Sequence, residues 1–303
     1  MKVVDFFFAA RPLLHLPIWS IYLCSLHYHL RISGGLFEWS DAGMMACLSL
    51  MVSGAYFLNQ IHDFEGDCIN RKLGFLQRGF ISKRQMQIAY VAVSLPALAL
   101  SRLFSPFALV TFAQFFLLGF LYSAAPFRLK DRPIWGMLVN AYSFGWLVTF
   151  MAMPEMNVHN AGMLGWDNPF YFFFAVAAVH ILTTIPDRKG DLAARKMTVA
   201  VWLAPVTARL LALVLMLVSA FVAWRSGHAL LITSSLLSVL PLLAAAVRPS
   251  EKADLLAAKA PILLLTLLAA YFFWGYLLFV VALVILSRIY FAKRFRLVYP
   301  KLA

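Results

Sequence analysis

Apolar runs of about 20 residues follow one another along most of this chain and leave it few folds to choose from. They lie at 12–30, 41–62, 86–104, 106–124, 133–153, 168–186, 203–224 and 228–247. Each is long enough to carry a helix across a bilayer. A last run covers 260–287 and extends with its flanks to 255–292. As one helix that stretch exceeds roughly 50 Å, too long for a straight crossing, so a break is expected at Gly275, after Phe273 and Trp274. In hydrocarbon the backbone must satisfy its own hydrogen bonds, which leaves helices or a closed barrel. The fold expected is therefore all-α: a polytopic membrane bundle of nine helices, or ten if the last run divides, forming a single unit over residues 1–303. Composition agrees, with 63% hydrophobic and 13% charged residues against about 25% charged in soluble domains. Asp5 and Arg11 interrupt the N-terminal apolar stretch and no small-residue cleavage site follows, so it is read as a retained helix rather than a signal peptide.

The net charge of +13 is distributed as membrane topology and not as a nucleic-acid footprint. With the N-terminus placed in the cytoplasm, seventeen Lys and Arg fall in inside segments and three (Arg31, Arg102 and Arg225) fall outside, a strong positive-inside bias. The tail adds Arg288, Lys293, Arg294, Arg296 and Lys301, which ten spans would also bring inside. The expected location is the inner or cytoplasmic membrane, with lipid as the surroundings. Cys24, Cys47 and Cys68 show no disulfide or metal spacing and are read as small core residues.

Within this apolar chain a twelve-residue pattern, Ile-x-Asp-x-x-Gly-Asp-x-x-x-Arg-Lys, occurs twice, from Ile61 to Lys72 and from Ile185 to Lys196. Five of the chain's 13 acidic residues (Asp63, Glu65, Asp67, Asp187 and Asp191) lie in the two copies. The copies start 124 residues apart, four spans per period. Two similar four-helix halves about an axis along the membrane normal would bring them face to face around a central cavity.

Asn59, Asp63 and Asp67 are spaced i, i+4, i+8, and Asp187 and Asp191 i, i+4, so a helix presents each set on one face. Carboxylates one turn apart repel, and a hard divalent cation relieves that repulsion. Oxygen-only ligands suit Mg2+, which often bridges to phosphate. His62 beside Asp63 is read as packing or a local hydrogen bond. Basic residues surround the acids. Arg71, Lys72, Arg195 and Lys196 close the two repeats, Arg11 precedes the first span, and Arg128 and Lys130 follow Tyr122 in the run YSAAPFRLK. Acids that hold metal among Arg and Lys make a trap for a diphosphate. Lys83, Arg84 and Arg132 are assigned to topology alone.

The segment Asn59-Gln60-Ile61-His62-Asp63-Phe64-Glu65-Gly66-Asp67, the pair Asp187 and Asp191, the run from Tyr122 to Lys130 and the early Arg11-Pro12 together resemble the motifs of the UbiA-type intramembrane prenyltransferases. The resemblance spans most of the chain. It implies a helical fold of nine spans and a central cavity open to lipid. It also implies Mg2+-dependent transfer of a polyprenyl chain from its diphosphate to a lipophilic acceptor: an aromatic acid, a quinone precursor or a lipid. By position, Asn59, Asp63, Asp67, Asp187 and Asp191 would hold magnesium and the diphosphate. Arg11, Arg71 and Lys130 would contact the diphosphate, and Tyr122 would lie near the reacting carbon. Arg128 and Lys196 join the substrate-binding set on charge.

The chain departs from the family pattern in two places. Gln60 stands where the family carries Asp, which removes a charge from the site. Past Arg71 the family's second Arg is Gly74, with Arg78 further along the loop as its replacement. Polar residues at membrane depth are default site candidates. Asn140 is taken as one, whereas His180 is expected to be satisfied by an interhelical hydrogen bond. No Ser-His or Cys-His pair marks a covalent nucleophile. The rival reading, a transporter for an anionic or amphiphilic solute, fits the repeats, yet it would place acids near the midplane and not at the ends of spans.

Overall fold

In the computed structural model, which describes residues 2–69, 74–153 and 167–300, the apolar runs become helices with chemically defined ends. Among these residues every regular element is helical. A short α1 (Lys2–Ala9) turns at Arg11 through a 3-10 turn (Pro12–His15) into α2 (Leu16–Ser33), which is followed by α3 (Trp39–Ile69). Ser82 starts α4 (Lys83–Ser101) by a capping box with Gln85, and Ser105 with Pro106 starts α5 (Pro106–Ser123). The next stretch begins as α6 (Pro133–Asn140) and passes through a π-helical turn (Ala141–Leu147) into α7 (Val148–Met151). The second half holds α8 (Asp167–Ala193), the single turn α9 (Val199–Trp202), α10 (Pro205–Arg225), α11 (Ala229–Val247), α12 (Glu251–Phe272), which Ser250 caps, and α13 (Trp274–Phe295).

Two helices run past the ends that hydropathy gives them. α3 continues to Ile69 and α8 to Ala193, so each aspartate set sits on continuous helix. The last apolar run divides, as its length requires. The break falls at Phe273, which ends α12 and begins α13, and not at Gly275.

Among the described residues nine stretches are long and apolar enough to cross a membrane, with α1 and α2 counted together. α4 falls short because Lys83, Arg84, Gln85 and Gln87 occupy its first turns, yet it is 19 residues long and packs against α3 and α5. The chain ends decide how it is counted. Asp5 in α1 accepts from Arg294 at the end of α13 at 3.1 and 3.0 Å and from the Tyr290 hydroxyl. Both ends therefore lie at one side, which requires an even number of crossings. With α4 the described residues hold ten.

Three apolar clusters hold the bundle together. The largest, with Tyr22, Leu48, Phe112, Met151 and Phe172, joins both halves. At its centre Gly145 lets the π-helical turn press on α8, where a Cβ would stand 2.7 Å from the Phe172 carbonyl. A second cluster joins α8, α10, α11 and α12. A third sits at the end where the termini meet, with Phe8, Phe57, Phe75, Ile81 and Phe295. Arg78 is spent there, its guanidinium against the Phe295 ring at 5.8 Å, rather than replacing the family's second arginine at the acidic site. Cys24 and Cys47 are buried as expected, but Cys68 is exposed, because it lies off the packed face of α3.

Arg209 and Asp254 join α10 to α12 by a buried two-pronged pair at 2.7 and 2.8 Å. Removing either partner strands the other charge, at about 3–5 kcal/mol. Asp254→Asn and Arg209→Met are each expected to lower the denaturation midpoint in mixed micelles. The double variant is expected to recover most of the loss, and simple addition of the two losses would contradict the pairing. Fluorescent reporters fused to the two termini should respond to a membrane-impermeant quencher from the same side; opposite sides would remove α4 from the count.

Candidate active site

The face that α3 presents through Asn59, Asp63 and Asp67 meets the loops that leave α5 and α8. Lys130, in the short turn Leu129–Asp131, donates to Asn59 Oδ1 at 2.7 Å and pairs with Asp63 Oδ1 at 2.9 Å. Lys196, the last residue of the second repeat, donates to the same Asp63 oxygen at 3.2 Å. Arg128 stands 3.9 Å from Asp63 and is held by Asp131 at 2.6 Å. The first repeat, the second repeat and the loop between α5 and α6 thus converge on one carboxylate. Backbone contacts fix the approach: the Met197 amide donates to the Asp131 carbonyl at 3.2 Å and the Lys196 amide to the Asp191 carbonyl at 2.8 Å.

The other acids are placed unevenly. Asp67 and Asp191 are buried, and Asp191 accepts from the Thr198 hydroxyl at 3.1 Å. Asp187 is exposed at the rim, one turn before Asp191. Among the described residues no three Asp, Glu, His or Cys side chains gather closely enough to hold an ion. The carboxylates therefore do not stand as a ready cage, because lysines occupy the Asp63 oxygen. The donor set is still all oxygen, at the mouth of a cavity, and its chemistry fits a hard cation such as Mg2+.

The two lysines differ in their hold on protons. Burial pulls Lys130 below the ordinary lysine range against the attraction of Asp63. Burial acts in the same direction on Lys196, but Asp63, Asp131 and Asp191 outweigh it and raise that lysine above the ordinary range. Arg128 and Arg195, beside the acidic site, and Arg11, whose charge acts on Tyr56 in the cavity wall, hold left-handed backbone at φ 41°, 55° and 56°. Such conformations are costly for non-glycine residues and concentrate at functional sites. Arg71 lies outside the described residues.

Gln60 does not face this site. Its buried amide donates to the Ala9 carbonyl at 2.8 Å and to the Tyr56 carbonyl at 3.0 Å. The family's charged position has become a structural bond that holds α1, and with it the Arg11 corner, against α3. No sequence signal announced this, since Ala9 is 51 residues away.

Inward from the charged mouth lie two cavities that share Tyr56, Asn140 and Phe144. The smaller, about 180 Å3, holds Asn59 and Tyr122. The larger, about 310 Å3, runs between α2, α8, α11 and α12 over Ile21, Phe172 and Leu265. Asn140 bonds the Tyr122 side chain and separates the two cavities. His180 also lines the larger cavity, but it departs from expectation. Its imidazole has no hydrogen bond among the described residues, because α8 aims it into the cavity and not at a neighbouring helix.

Comparisons with known proteins agree with this architecture. A family model described as the UbiA prenyltransferase family matches residues 21–261. A probable homogentisate phytyltransferase 2 of rice (Oryza sativa subsp. japonica) is 30% identical over 143 residues, which is 44% of this chain and 37% of that relative, so the match spans little over a third of its length. A UbiA homolog from Archaeoglobus fulgidus bound to GPP and Mg2+ superposes with a TM-score of 0.70 at 16% identity, covering 90% of this chain and 99% of its own. A homolog from Aeropyrum pernix K1 gives 0.65 at 18% identity, over 81% and 94%. At these identities the likeness is one of fold.

Lys130→Met deprives both Asn59 and Asp63 of a partner and is expected to cost about 3 kcal/mol, whereas Lys196→Met leaves Lys130 in place and costs about 1 kcal/mol. Denaturation midpoints in mixed micelles test this order. Equal or reversed losses would contradict the geometry.

Proposed function

Because this chain belongs to the UbiA prenyltransferase family, we propose that it moves a polyprenyl group from an allylic diphosphate to a lipophilic acceptor inside the membrane. The observation that carries the reading is the meeting of Lys130, Lys196 and Arg128 at Asp63, beside Asn59, which accepts from Lys130 and lines the smaller cavity, itself adjoining the larger apolar one at Tyr56, Asn140 and Phe144. A substrate with a charged head and a hydrocarbon tail matches that division. Solved relatives hold GPP or DMAPP together with Mg2+, which supports an allylic diphosphate and a divalent ion here. The excess of Lys and Arg at this end supports a mouth that faces the cytoplasm.

In the reaction the allylic C–O bond breaks and its electron pair leaves with the diphosphate. Lys130, Lys196 and Arg128, from positions fixed before the substrate arrives, neutralise the charge that builds there, together with Arg11 and Arg71. Asp63, Asp67, Asp187, Asp191 and Asn59 would hold Mg2+, which supplies further screening of the leaving group. Lys130 and Lys196 exchange their bonds to Asp63 for bonds to phosphate oxygens, which frees Asp63 for that role. Tyr122, beside Asn140, borders the reacting carbon. The walls of the larger cavity keep water from the allylic cation until the acceptor attacks.

The test is turnover of the purified protein with Mg2+, geranylgeranyl diphosphate and lipophilic acceptors, read as diphosphate release and prenylated product. Asp63→Asn and Asp187→Asn are each expected to lower kcat by about 100-fold or more, and Glu65→Gln to stay within about threefold, since Glu65 is exposed. Equal activity in all three variants would overturn the site assignment. Solute uptake into vesicles without product would overturn prenyl transfer.

A further inference from the structure

The polar side chains on the wall of the larger cavity are satisfied, with one exception. Tyr56 donates to the Leu14 carbonyl at 3.2 Å, and Tyr171 receives the Ser235 hydroxyl at 3.0 Å. Ser238 donates to the Ser234 carbonyl at 2.7 Å and Thr183 to the His180 carbonyl at 2.7 Å. Asn140 bonds the Tyr122 side chain. The imidazole of His180 alone has no hydrogen-bond or ionic partner among the described residues, although it stands in the cavity wall, partly exposed to the cavity. A ring nitrogen facing hydrocarbon costs free energy until something bonds it, so this position calls for a ligand with a complementary group.

The register of α8 says where that ligand sits. His180, Asp187 and Asp191 are spaced i, i+7, i+11 on one continuous helix and share a face. His180 stands about 10 Å further in than Asp187. This is deeper than the diphosphate and on the cavity that Asn140 also lines, where a reacting carbon and an acceptor would meet. Electrophilic prenylation releases a proton from the acceptor. At the mouth Asp63 is paired with Lys130 and Lys196 and Asp191 accepts from Thr198, whereas the imidazole, free among the described residues, stands in the wall of the larger cavity.

We propose that His180 binds a hydroxyl group of the acceptor and takes its proton during transfer, so that the acceptor class is a lipophilic molecule with a free hydroxyl, above all a phenol. This rests on the prenyl-transfer reading given above. As the acceptor bonds to the allylic carbon, through its oxygen or through the conjugated ring carbon of a phenol, the C–O bond to diphosphate breaks with its electron pair. The hydroxyl proton passes to the free imidazole nitrogen; where bonding is through a ring carbon, the dienone formed regains the phenol as the proton on that carbon shifts to the oxygen. The imidazolium returns its proton to water at the mouth when the product leaves.

Binding tests the hydroxyl contact without turnover. The protein in lipid nanodiscs is titrated with 4-octylphenol and with 4-octylanisole, which differs by a methyl cap on the oxygen. The phenol is expected to bind at least about tenfold tighter. His180→Phe should erase that preference and His180→Gln, which can still accept a hydrogen bond, should keep part of it. Equal affinities in the unmodified protein, or a preference that survives His180→Phe, would overturn the proposal. In turnover with geranylgeranyl diphosphate and lipophilic phenols, His180→Gln should lower the ratio of prenylated product to diphosphate released by about 100-fold. An unchanged ratio would overturn the proton-accepting role. Failure of the unmodified protein to release diphosphate from any allylic donor would instead overturn prenyl transfer, and this proposal with it.

Discussion

One carboxylate, Asp63, is the point where the two halves of this bundle are tied together. It sits in the first repeat, yet the cations that hold it come from the loop after α5 and from the end of the second repeat, 133 residues away. An isolated acid at the edge of a bilayer is costly, and so are buried lysines. Each is tolerated because the other is present. The interaction is therefore structural before any substrate arrives, and it leaves the cations poised. On the proposed function, a diphosphate, which brings more negative charge than Asp63 does, would claim the lysines, and the bond that holds Asp63 would be the one exchanged on binding.

The same interaction sets the geometry of everything deeper. Bringing the two repeats together at the mouth aligns α3 and α8 along the cavity walls, and the polar residues then fall into levels: Asp63, Asp187 and Asp191 at the rim, and Tyr122, Asn140 and His180 further in. The depth of each level follows from helical rise and not from loop conformation, which is how a membrane enzyme keeps a reactive centre at fixed distance from a charged head group. A site whose charges all lie at one end of a hydrocarbon cavity suits chemistry on an amphiphile better than passage of a solute across the midplane.

Much of this was legible in the chain because helical periodicity is a local property. The length of the last run required a break, and the aspartate spacing required a common face; both are present, with the break displaced to Phe273 by two residues. What sequence could not give were long-range bonds. Gln60 reads as a lost charge until its amide is found on Ala9, and Arg78 reads as a spare phosphate ligand until it is found on Phe295. His180 reads as a satisfied helix contact because periodicity shows which face a residue takes, but not whether a partner waits there. The π-helical turn at Ala141–Leu147 has no sequence signal either; it follows from the close approach of Gly145 to α8.

The convergence of the two repeats on one anion is tested most directly by a double-mutant cycle. The affinity for geranylgeranyl diphosphate is measured by titration for the unmodified protein, Asp63→Asn, Lys196→Met and the combined variant. If Asp63 and Lys196 share a single site, the two changes are coupled by about 1 kcal/mol or more. Strict additivity, to within about 0.3–0.5 kcal/mol, would mean that the repeats act on separate ligands and would contradict the account.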